Sequence, residues 1–227
     1  RTKNYYPKLK TLYVGGAILN INEARTIKEK YKSADIVYIY GATECNLIAK
    51  TKLNEYINHL QNKKIACLGT KALGVDIKNN DKNEIMVSSK AILRQYIAGE
   101  RKNALVDEAG TFWHKTGDAG RYTDEGLYYL GRFDVYAIKN SKKVHTNPIE
   151  QSLTIDFETI KKCAFFYYNG KNRLYIESDK EPDFTSLRSY LLERGFANVD
   201  IHRIKKLPCD KKHHTKIDYR RLKLRLR

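Results

Sequence analysis

One segment of the sequence combines side chains that can bind a nucleotide and a metal ion. Tyr40-Gly41-Ala42-Thr43-Glu44 places an aromatic ring, a hydroxyl group and a carboxylate directly after an apolar stretch. A tyrosine ring can stack on a base, a hydroxyl group can bond a phosphate oxygen, and a carboxylate can hold a hard cation such as Mg²⁺. The segment therefore indicates chemistry on a phosphorylated ligand.

Two further polar segments follow along the chain. In the TGD segment at 116–118, Asp118 follows a flexible glycine, and its oxygens can accept hydrogen bonds from two ribose hydroxyl groups. The GRFD segment at 131–134 contains Arg132 and Asp134 and lies where the pattern of the chain changes. The side chains of the three segments suit a single nucleotide ligand.

Apolar runs that end at glycine predict alternating strands and helices in the first third of the chain. The expected elements are a strand at Leu9–Val14 that ends before Gly15-Gly16, a helix at Asn22–Lys32, and a buried parallel strand at Ile36–Tyr40. This order is a βαβ unit. In open α/β sheets ligands bind beyond the carboxyl ends of the strands, which is where Thr43 and Glu44 fall.

The pattern then changes twice. Between Lys63 and Leu130, short strands separated by turns predict a small barrel or meander. From about Val135, the order strand, helix, strand, strand, helix, strand predicts an independent α+β domain. We therefore divide the chain into 1–132 and 133–227. The expected elements of the second part are a helix opened by Pro148 at Ile149–Leu153, strands at Cys163–Tyr168, Arg173–Glu177 and Val199–Ile204, and a helix at Phe184–Arg194.

The composition excludes several classes of protein. The 227 residues are 41% hydrophobic and 11% aromatic, which is enough apolar surface for a folded chain. No run approaches the roughly 18–20 consecutive apolar residues that span a bilayer, and the first residues, RTKNYYPKLK, contain no signal-peptide core. The four cysteines are far apart, which argues against a disulfide framework or a zinc site. We expect a cytoplasmic protein without a transmembrane segment.

The charge of the chain is strongly positive. Lys and Arg number 43 against 26 Asp and Glu, a formal net charge of +17, which indicates an anionic partner such as nucleic acid, an anionic membrane surface or a nucleotide. Residues 203–227 hold eleven Lys or Arg and two acids, and we interpret them mainly as a solvated tail in which His213-His214 binds no metal. No RNP aromatic pair, KH loop or zinc-finger spacing supports a specific nucleic-acid contact. The terminal LKLRLR alternates with period two and predicts an edge strand.

These segments occur in an order found in one enzyme family. The chain resembles the carboxyl-terminal half of the ANL superfamily of adenylate-forming enzymes, which includes acyl- and aryl-CoA ligases, adenylation domains of nonribosomal peptide synthetases, and luciferases. The matching segments are Gly15-Gly16-Ala17, YGATE at 40–44, EIMV at 84–87, TGD at 116–118, GRFD at 131–134, Ile149-Glu150 and HTKID at 214–218. The resemblance implies the end of a large α/β AMP-binding domain, made of a βαβ unit and a β-barrel-like subdomain, followed by a small mobile α+β domain.

The resemblance also implies a role for individual residues. The nucleotide-binding set is Gly15, Gly16 and Ala17 along the adenine, Tyr40 and Gly41 beside it, and Asp118 and Arg132 on the ribose hydroxyl groups. The implied catalytic residues are Thr43 on the α-phosphate, Glu44 on Mg²⁺, and Lys216, which bridges the acyl carboxylate and the nucleotide. Asp134 resembles the hinge about which the small domain turns.

The sequence departs from the family pattern at several points. The glycine-rich phosphate loop and most of the acyl pocket are absent and would lie before Arg1. Ser141 replaces a glycine that lets the backbone approach a pantetheine arm, which argues against the thioester step, and His214-Thr215 replaces Asn-Gly before Lys216.

The expected function is that of an AMP-forming acid–thiol ligase. Such an enzyme uses ATP and Mg²⁺ to convert a carboxylic acid to an acyl adenylate and then transfers the acyl group to CoA. The acid can be a fatty, aryl or amino acid, with fatty acid metabolism as one setting. The partner is the missing amino-terminal half of the same enzyme. The alternatives are an adenylation enzyme that loads a carrier protein, and a non-catalytic, basic nucleotide- or nucleic-acid-binding remnant.

We predict that residues 1–227 alone do not turn over ATP. The backbone amides of the missing phosphate loop would normally hold the β- and γ-phosphates. Purified chain should give no acid-dependent release of pyrophosphate. Release that clearly exceeds that of a Glu44→Ala control would show this prediction to be wrong.

Overall fold

The computed structural model describes residues 8–94, 104–210 and 216–224. Its helices are α1 Ile21–Lys30, α2 Leu53–Lys63, α3 Asn147–Asp156, α4 Phe184–Glu193 and α5 Tyr219–Leu224. Its strands are β1 Thr11–Gly15, β2 Asp35–Ala42, β3 Asn46–Lys52, β4 Ala66–Cys67, β5 Thr70–Lys71, β6 Val75–Asn79, β7 Glu84–Ser89, β8 Ala104–Val106, β9 Phe112–Thr123, β10 Gly126–Arg132, β11 Ala137–Lys139, β12 Lys142–Val144, β13 Lys162–Tyr168, β14 Lys171–Glu177 and β15 Asp200–Ile204. None of the helices in these ranges combines the length and apolarity that a membrane crossing needs.

The first sheet has the strand order β1-β2-β3-β5. Strands β1 and β2 are parallel and are joined by α1, so the predicted βαβ unit is confirmed. Helix α1 begins with a capping box, in which the Asn20 side chain accepts from Glu23 N and the Glu23 carboxylate accepts from Asn20 N. Alternate residues of β2, including Tyr38 and Tyr40, are buried on one face of the sheet. The tyrosine that opens the first polar segment is thereby directed into the core.

The second sheet is an antiparallel meander with the order β4-β10-β9-β7-β6, and β8 pairs with β9. The predicted meander is confirmed, whereas the predicted barrel-like closure is wrong for the described residues. The end strands β4 and β6 of this order make no pairing with each other, so the sheet stays open. Strands β9 and β10 place Asp118 opposite Arg132 in the register.

The third sheet has the order β13-β14-β15, with β13 and β14 antiparallel and β14 and β15 parallel. Asn169 and Gly170 both have left-handed backbone conformations and form the tight turn between β13 and β14. With the β11–β12 hairpin, α3 and α4, this sheet gives the predicted α+β order. The predicted edge strand at 222–227 is wrong over 222–224, which belong to α5, because helix formation buries Leu222 in the core. Residues 225–227 lie outside the described part of the chain.

The hydrophobic core is divided near Val135. One cluster contains buried residues from Ile21 to Tyr129, and two smaller clusters contain residues from Val135 onwards. The boundary between 132 and 133 stays a prediction.

Several polar contacts join the two predicted parts. Lys64 Nζ lies 2.6 Å from Asp156 Oδ2 across the predicted boundary, and Tyr190, from the same part as Asp156, also donates to that carboxylate. Lys162 Nζ lies 3.1 Å from Glu23 Oε1. These contacts orient the third sheet relative to the first.

The β11–β12 hairpin turns through two residues with positive φ, Asn140 at 45° and Ser141 at 65°. Asn tolerates this left-handed region, but Ser has no such preference, so its Cβ is crowded there. The Asn140 amide N–H also donates to Gly195 O at 3.1 Å, which fixes the turn against the end of α4. Ser141, the residue that departs from the family pattern, is therefore strained.

We predict that Ser141→Gly raises the free energy of unfolding by about 0.5–1 kcal/mol, because relief of left-handed strain exceeds the added entropy of the unfolded chain. Ser141→Ala is the matched control: it keeps the Cβ and should give no gain. Urea unfolding of the three proteins measures the difference. Equal stability of the Gly and Ala variants would contradict the strain at this position.

Candidate functional site

A cleft of about 840 Å³ lies where β2, β9, β10, α3 and the last described segment meet. Seven of the residues predicted to act on a nucleotide line it, together with the predicted hinge residue Asp134: Gly16, Ala17, Tyr40, Gly41, Asp118, Arg132 and Lys216. Widely separated segments of the sequence therefore converge on one cavity. The roles of the individual residues stay predictions.

The Asp118 carboxylate is the centre of the polar network in the cleft. The Tyr40 hydroxyl donates to Asp118 Oδ2 at 2.7 Å, and Arg132 Nη1 donates to Asp118 Oδ1 at 2.7 Å. Burial raises the pKa of Asp118, while the charge of Arg132 and the hydrogen bond from Tyr40 oppose that rise. The pKa of Tyr40 is raised well above its usual value, chiefly by burial and to a smaller extent by the charge of Asp118. Tyr40 therefore remains a neutral hydrogen-bond donor.

The turn before Asp118 depends on Thr116 and Gly117. The Thr116 hydroxyl donates to Ile85 O at 3.0 Å and accepts from Asp118 N at 3.1 Å. Gly117 has a φ of 71°, and a Cβ at this position would lie 3.1 Å from Arg132 Nη2. A glycine thus allows the guanidinium group to lie across the turn and reach Asp118.

The glycine segment at the end of β1 forms another wall. Gly16 has a φ of 97° and lines the cleft with Ala17. The Ala17 carbonyl accepts from the Tyr38 hydroxyl at 2.6 Å, which holds this backbone against β2. Gly15 packs instead against Ile39, where a Cβ would lie 2.6 Å from a side-chain carbon.

Thr43 and Glu44 lie on the turn between β2 and β3. The described residues that line the cleft do not include them. Thr43 is exposed, and the Glu44 carbonyl accepts from Leu93 N at 2.7 Å. Within the described ranges no group of three or more His, Cys, Asp or Glu is arranged to hold a metal ion. A single carboxylate still fits Mg²⁺, because that ion takes one or two protein carboxylates together with substrate phosphates.

Lys216 is held at the cleft by its own backbone. Its N–H donates to Asp210 Oδ1 at 3.1 Å, its carbonyl accepts from Asp210 N at 2.8 Å, and Ile217 forms a β-bridge with Cys209. The charge of Lys216 also favours the ionised form of Asp118 and so helps to lower its pKa. The preceding His213, His214 and Thr215 lie outside the described residues.

Glu150 is a buried carboxyl group at the base of the cleft, and sequence reasoning noticed it only as part of a motif. Its Oε1 accepts from Phe165 N at 2.8 Å and from the Tyr219 hydroxyl at 3.2 Å. Burial raises the pKa of Glu150 to about 7. Arg220 and Lys223, which also line the cleft, were missed; their spacing of three residues is the helical signal that could have revealed them.

Comparison with known proteins identifies the fold and the relatives of the chain. A D-alanine–D-alanyl carrier protein ligase of Streptococcus pneumoniae is 29% identical over 161 residues, which cover 65% of this chain and 31% of the relative. The corresponding ligase of Streptococcus agalactiae is 26% identical over 180 residues, 74% of this chain and 35% of the relative. No protein-family model matches the chain.

Solved structures match over almost the whole chain. An amide bond synthetase from Marinactinospora thermotolerans gives a TM-score of 0.77 at 17% identity, with 96% of this chain and 47% of that one covered. The o-succinylbenzoate CoA synthetase from Bacillus subtilis, in complex with an acyl-adenylate intermediate, gives 0.69 at 20% identity, with 98% and 47% covered. The chain matches the carboxyl-terminal half of ANL adenylate-forming enzymes. The resemblance based on the sequence motifs is thus confirmed.

The matches cover only part of the length of each ANL enzyme. The chain spans about a third of the length of the curated ANL relatives and about half of the solved ones. The solved structures cover almost the whole of this chain, whereas more than half of each of those enzymes lies outside the match.

The raised pKa of Glu150 predicts a specific dependence of stability on pH. An unfolded chain holds the glutamate proton only up to about pH 4.5, whereas the folded protein holds it to about pH 7. The contribution of Glu150 to stability is complete below about pH 4.5 and is lost as the pH rises to about 7. We predict that Glu150→Gln, which is always neutral, reduces the fall in unfolding free energy between pH 5 and pH 8 by about 2 kcal/mol.

Glu158→Gln is the matched control, because Glu158 is an exposed glutamate just after the same helix. Urea unfolding at a series of pH values measures each slope. If both variants kept the pH dependence of the parent protein, Glu150 would not be the group that titrates.

Proposed function

We propose that this chain is the carboxyl-terminal part of an ATP-dependent, adenylate-forming ligase that activates a carboxylic acid as its acyl adenylate. The observation that carries the proposal is the shared cleft, in which Tyr40, Asp118 and Arg132 meet Lys216. The confirmed similarity to the ANL enzymes supports the same reaction class.

In the proposed reaction, a carboxylate oxygen attacks the α-phosphate of ATP and pyrophosphate leaves. Two anions must approach each other, so positive charge at the reacting groups lowers the barrier. Lys216 is the proposed source of that charge, since its ammonium group lies on the cleft without a described ion-pair partner. Mg²⁺ bound through Glu44 would neutralise the phosphate oxygens, and the Thr43 hydroxyl would orient the α-phosphate.

We propose that Asp118 and Arg132 hold the ribose and that the Gly16-Ala17 backbone lies along the adenine. The Asp118 carboxylate has both oxygens in hydrogen bonds and is only 14% exposed, which fixes its orientation. An acceptor held in one position loses little entropy when a ligand binds.

For the second step we propose transfer of the acyl group to CoA. The solved CoA synthetase with the same fold supports this acceptor. A carrier-protein thiol is the second candidate, and the naming of the ligase from Streptococcus pneumoniae favours it. Supplying the assembled enzyme with CoA or with a phosphopantetheinylated carrier protein would separate the two. The proposed acid substrate is a carboxylic acid of fatty, aryl or amino type.

We predict that Lys216→Ala in the enzyme that contains both halves reduces acyl-adenylate formation by about a hundredfold or more, because two anions then meet without this cation. Thiol attack on supplied acyl adenylate should change less than about threefold, because no anionic attack on phosphate occurs in that step. Single-turnover assays of each step measure the two effects.

Lys205→Ala is the matched control, since Lys205 is exposed and lies outside the cleft. It should leave both steps unchanged. Equal losses of the two steps in Lys216→Ala would contradict the proposed role. Absence of any acid-dependent step in the assembled enzyme would instead favour a nucleotide-binding remnant.

A further inference from the structure

The last helix brings two more cations to the cleft. Arg220 and Lys223 are three residues apart on α5, a spacing that places them on one side of a helix, and both line the same cavity as Lys216. Sequence motifs assign a role only to Lys216.

Helix α5 is firmly anchored on its other side. Leu222 is fully buried among Val135, Phe166 and Leu207. The Tyr219 ring packs edge-on against Phe166 at 5.7 Å between centroids. The buried residues therefore fix the rotation of this short helix and keep Arg220 and Lys223 towards the cleft.

Lys223 is also positioned by an aromatic ring. Its Nζ lies 5.7 Å from the centroid of the Tyr168 ring, and Tyr168 is itself part of the cleft wall. A cation over a tyrosine face is held by the ring quadrupole without losing its charge. Lys223 can therefore still bind an anion.

The other cations of the cleft already have partners. Arg132 Nη1 lies 2.7 Å from Asp118 Oδ1, and Lys162 Nζ lies 3.1 Å from Glu23 Oε1. Within the ranges that the structure describes, Lys216, Arg220 and Lys223 form no ion pair with an acid.

The acidic side chains that line the cleft do not balance the positive charge of its Lys and Arg side chains. Besides Asp118, the cleft contains Glu150, whose burial favours the neutral form, and Asp134, which is exposed at its edge. A cleft with such an excess of cations attracts anions and concentrates them.

We propose that Lys216, Arg220 and Lys223 form a binding site for a chain of phosphates, either the triphosphate of ATP or released pyrophosphate. The proposal rests on the proposed function for the identity of the neighbouring nucleotide. Arg220 and Lys223 lie on one side of α5 and Lys216 lies on the segment just before it, so a linear polyanion can contact cations from both segments of the cleft wall. Arg can also bond phosphate oxygens in pairs, and Lys supplies a point charge.

The test is binding of inorganic tripolyphosphate to the 227-residue chain by calorimetry, at constant ionic strength because exposed charges are screened by salt. AMP is measured in parallel as a ligand with one phosphate. The double variant Arg220→Ala/Lys223→Ala should weaken tripolyphosphate binding by about tenfold or more, while AMP binding changes less than about twofold.

Arg221→Ala is the matched control. It removes one positive charge from the same helix, but Arg221 pairs with Asp218 at 3.4 Å and does not line the cleft. It should change tripolyphosphate binding by less than about twofold. The charge-conserving variant Arg220→Lys/Lys223→Arg should retain binding within about threefold, which separates charge from loss of folding.

Three outcomes would overturn the inference. They are an equal loss in Arg221→Ala, no effect of the double variant, or no binding of tripolyphosphate to the parent chain. If AMP still bound in those cases, the proposed nucleotide function would stand without this site. If AMP failed to bind the parent chain while tripolyphosphate bound, the nucleotide function would fail and the phosphate site would remain.

Discussion

The cleft depends on the hydrogen bonds that the Asp118 carboxylate accepts from Tyr40 and Arg132. Asp118 lies on β9, and its two oxygens are bonded to Tyr40 on β2 and Arg132 on β10, so one carboxylate joins the first sheet to the second. A buried carboxylate is costly without partners, and each partner here is held in turn by its strand. The floor of the cleft is therefore rigid because its polar groups satisfy one another.

The opposite wall comes from the end of the chain, and its position depends on packing. Leu222 and Tyr219 enter the core of the third sheet, and Tyr219 bonds to Glu150. The same few residues thus decide where α5 lies and where its cations point. Binding and folding are coupled in this segment, since a change in the core would move the charged wall as well.

Much of the fold and part of the site follow from local sequence. The apolar run at Ile36–Tyr40 and the glycines at the end of β1 predict the βαβ unit. Strand β3 and helix α2 were missed because α2 has no side-chain cap at Lys52 and follows its strand directly, which removes the usual start signal. The pairing of Tyr40, Arg132 and Asp118 was also missed, because it depends on strand register that no local pattern records. At the carboxyl end, the alternation around Leu222 gave a strand, although packing against Phe166 selects a helix.

The contacts of Lys64 with Asp156 and of Lys162 with Glu23 span the predicted boundary. Any rotation about Asp134 would have to separate them. Partly exposed ion pairs are individually weak and are screened by salt. Such contacts therefore favour one orientation of the two parts without fixing it. They favour one orientation of the third sheet at rest, yet a ligand that gains a few hydrogen bonds in another orientation can displace them. Because residues from both sides of the boundary line the cleft, ionic strength would then tune the resting shape of the cleft through contacts that lie largely outside it.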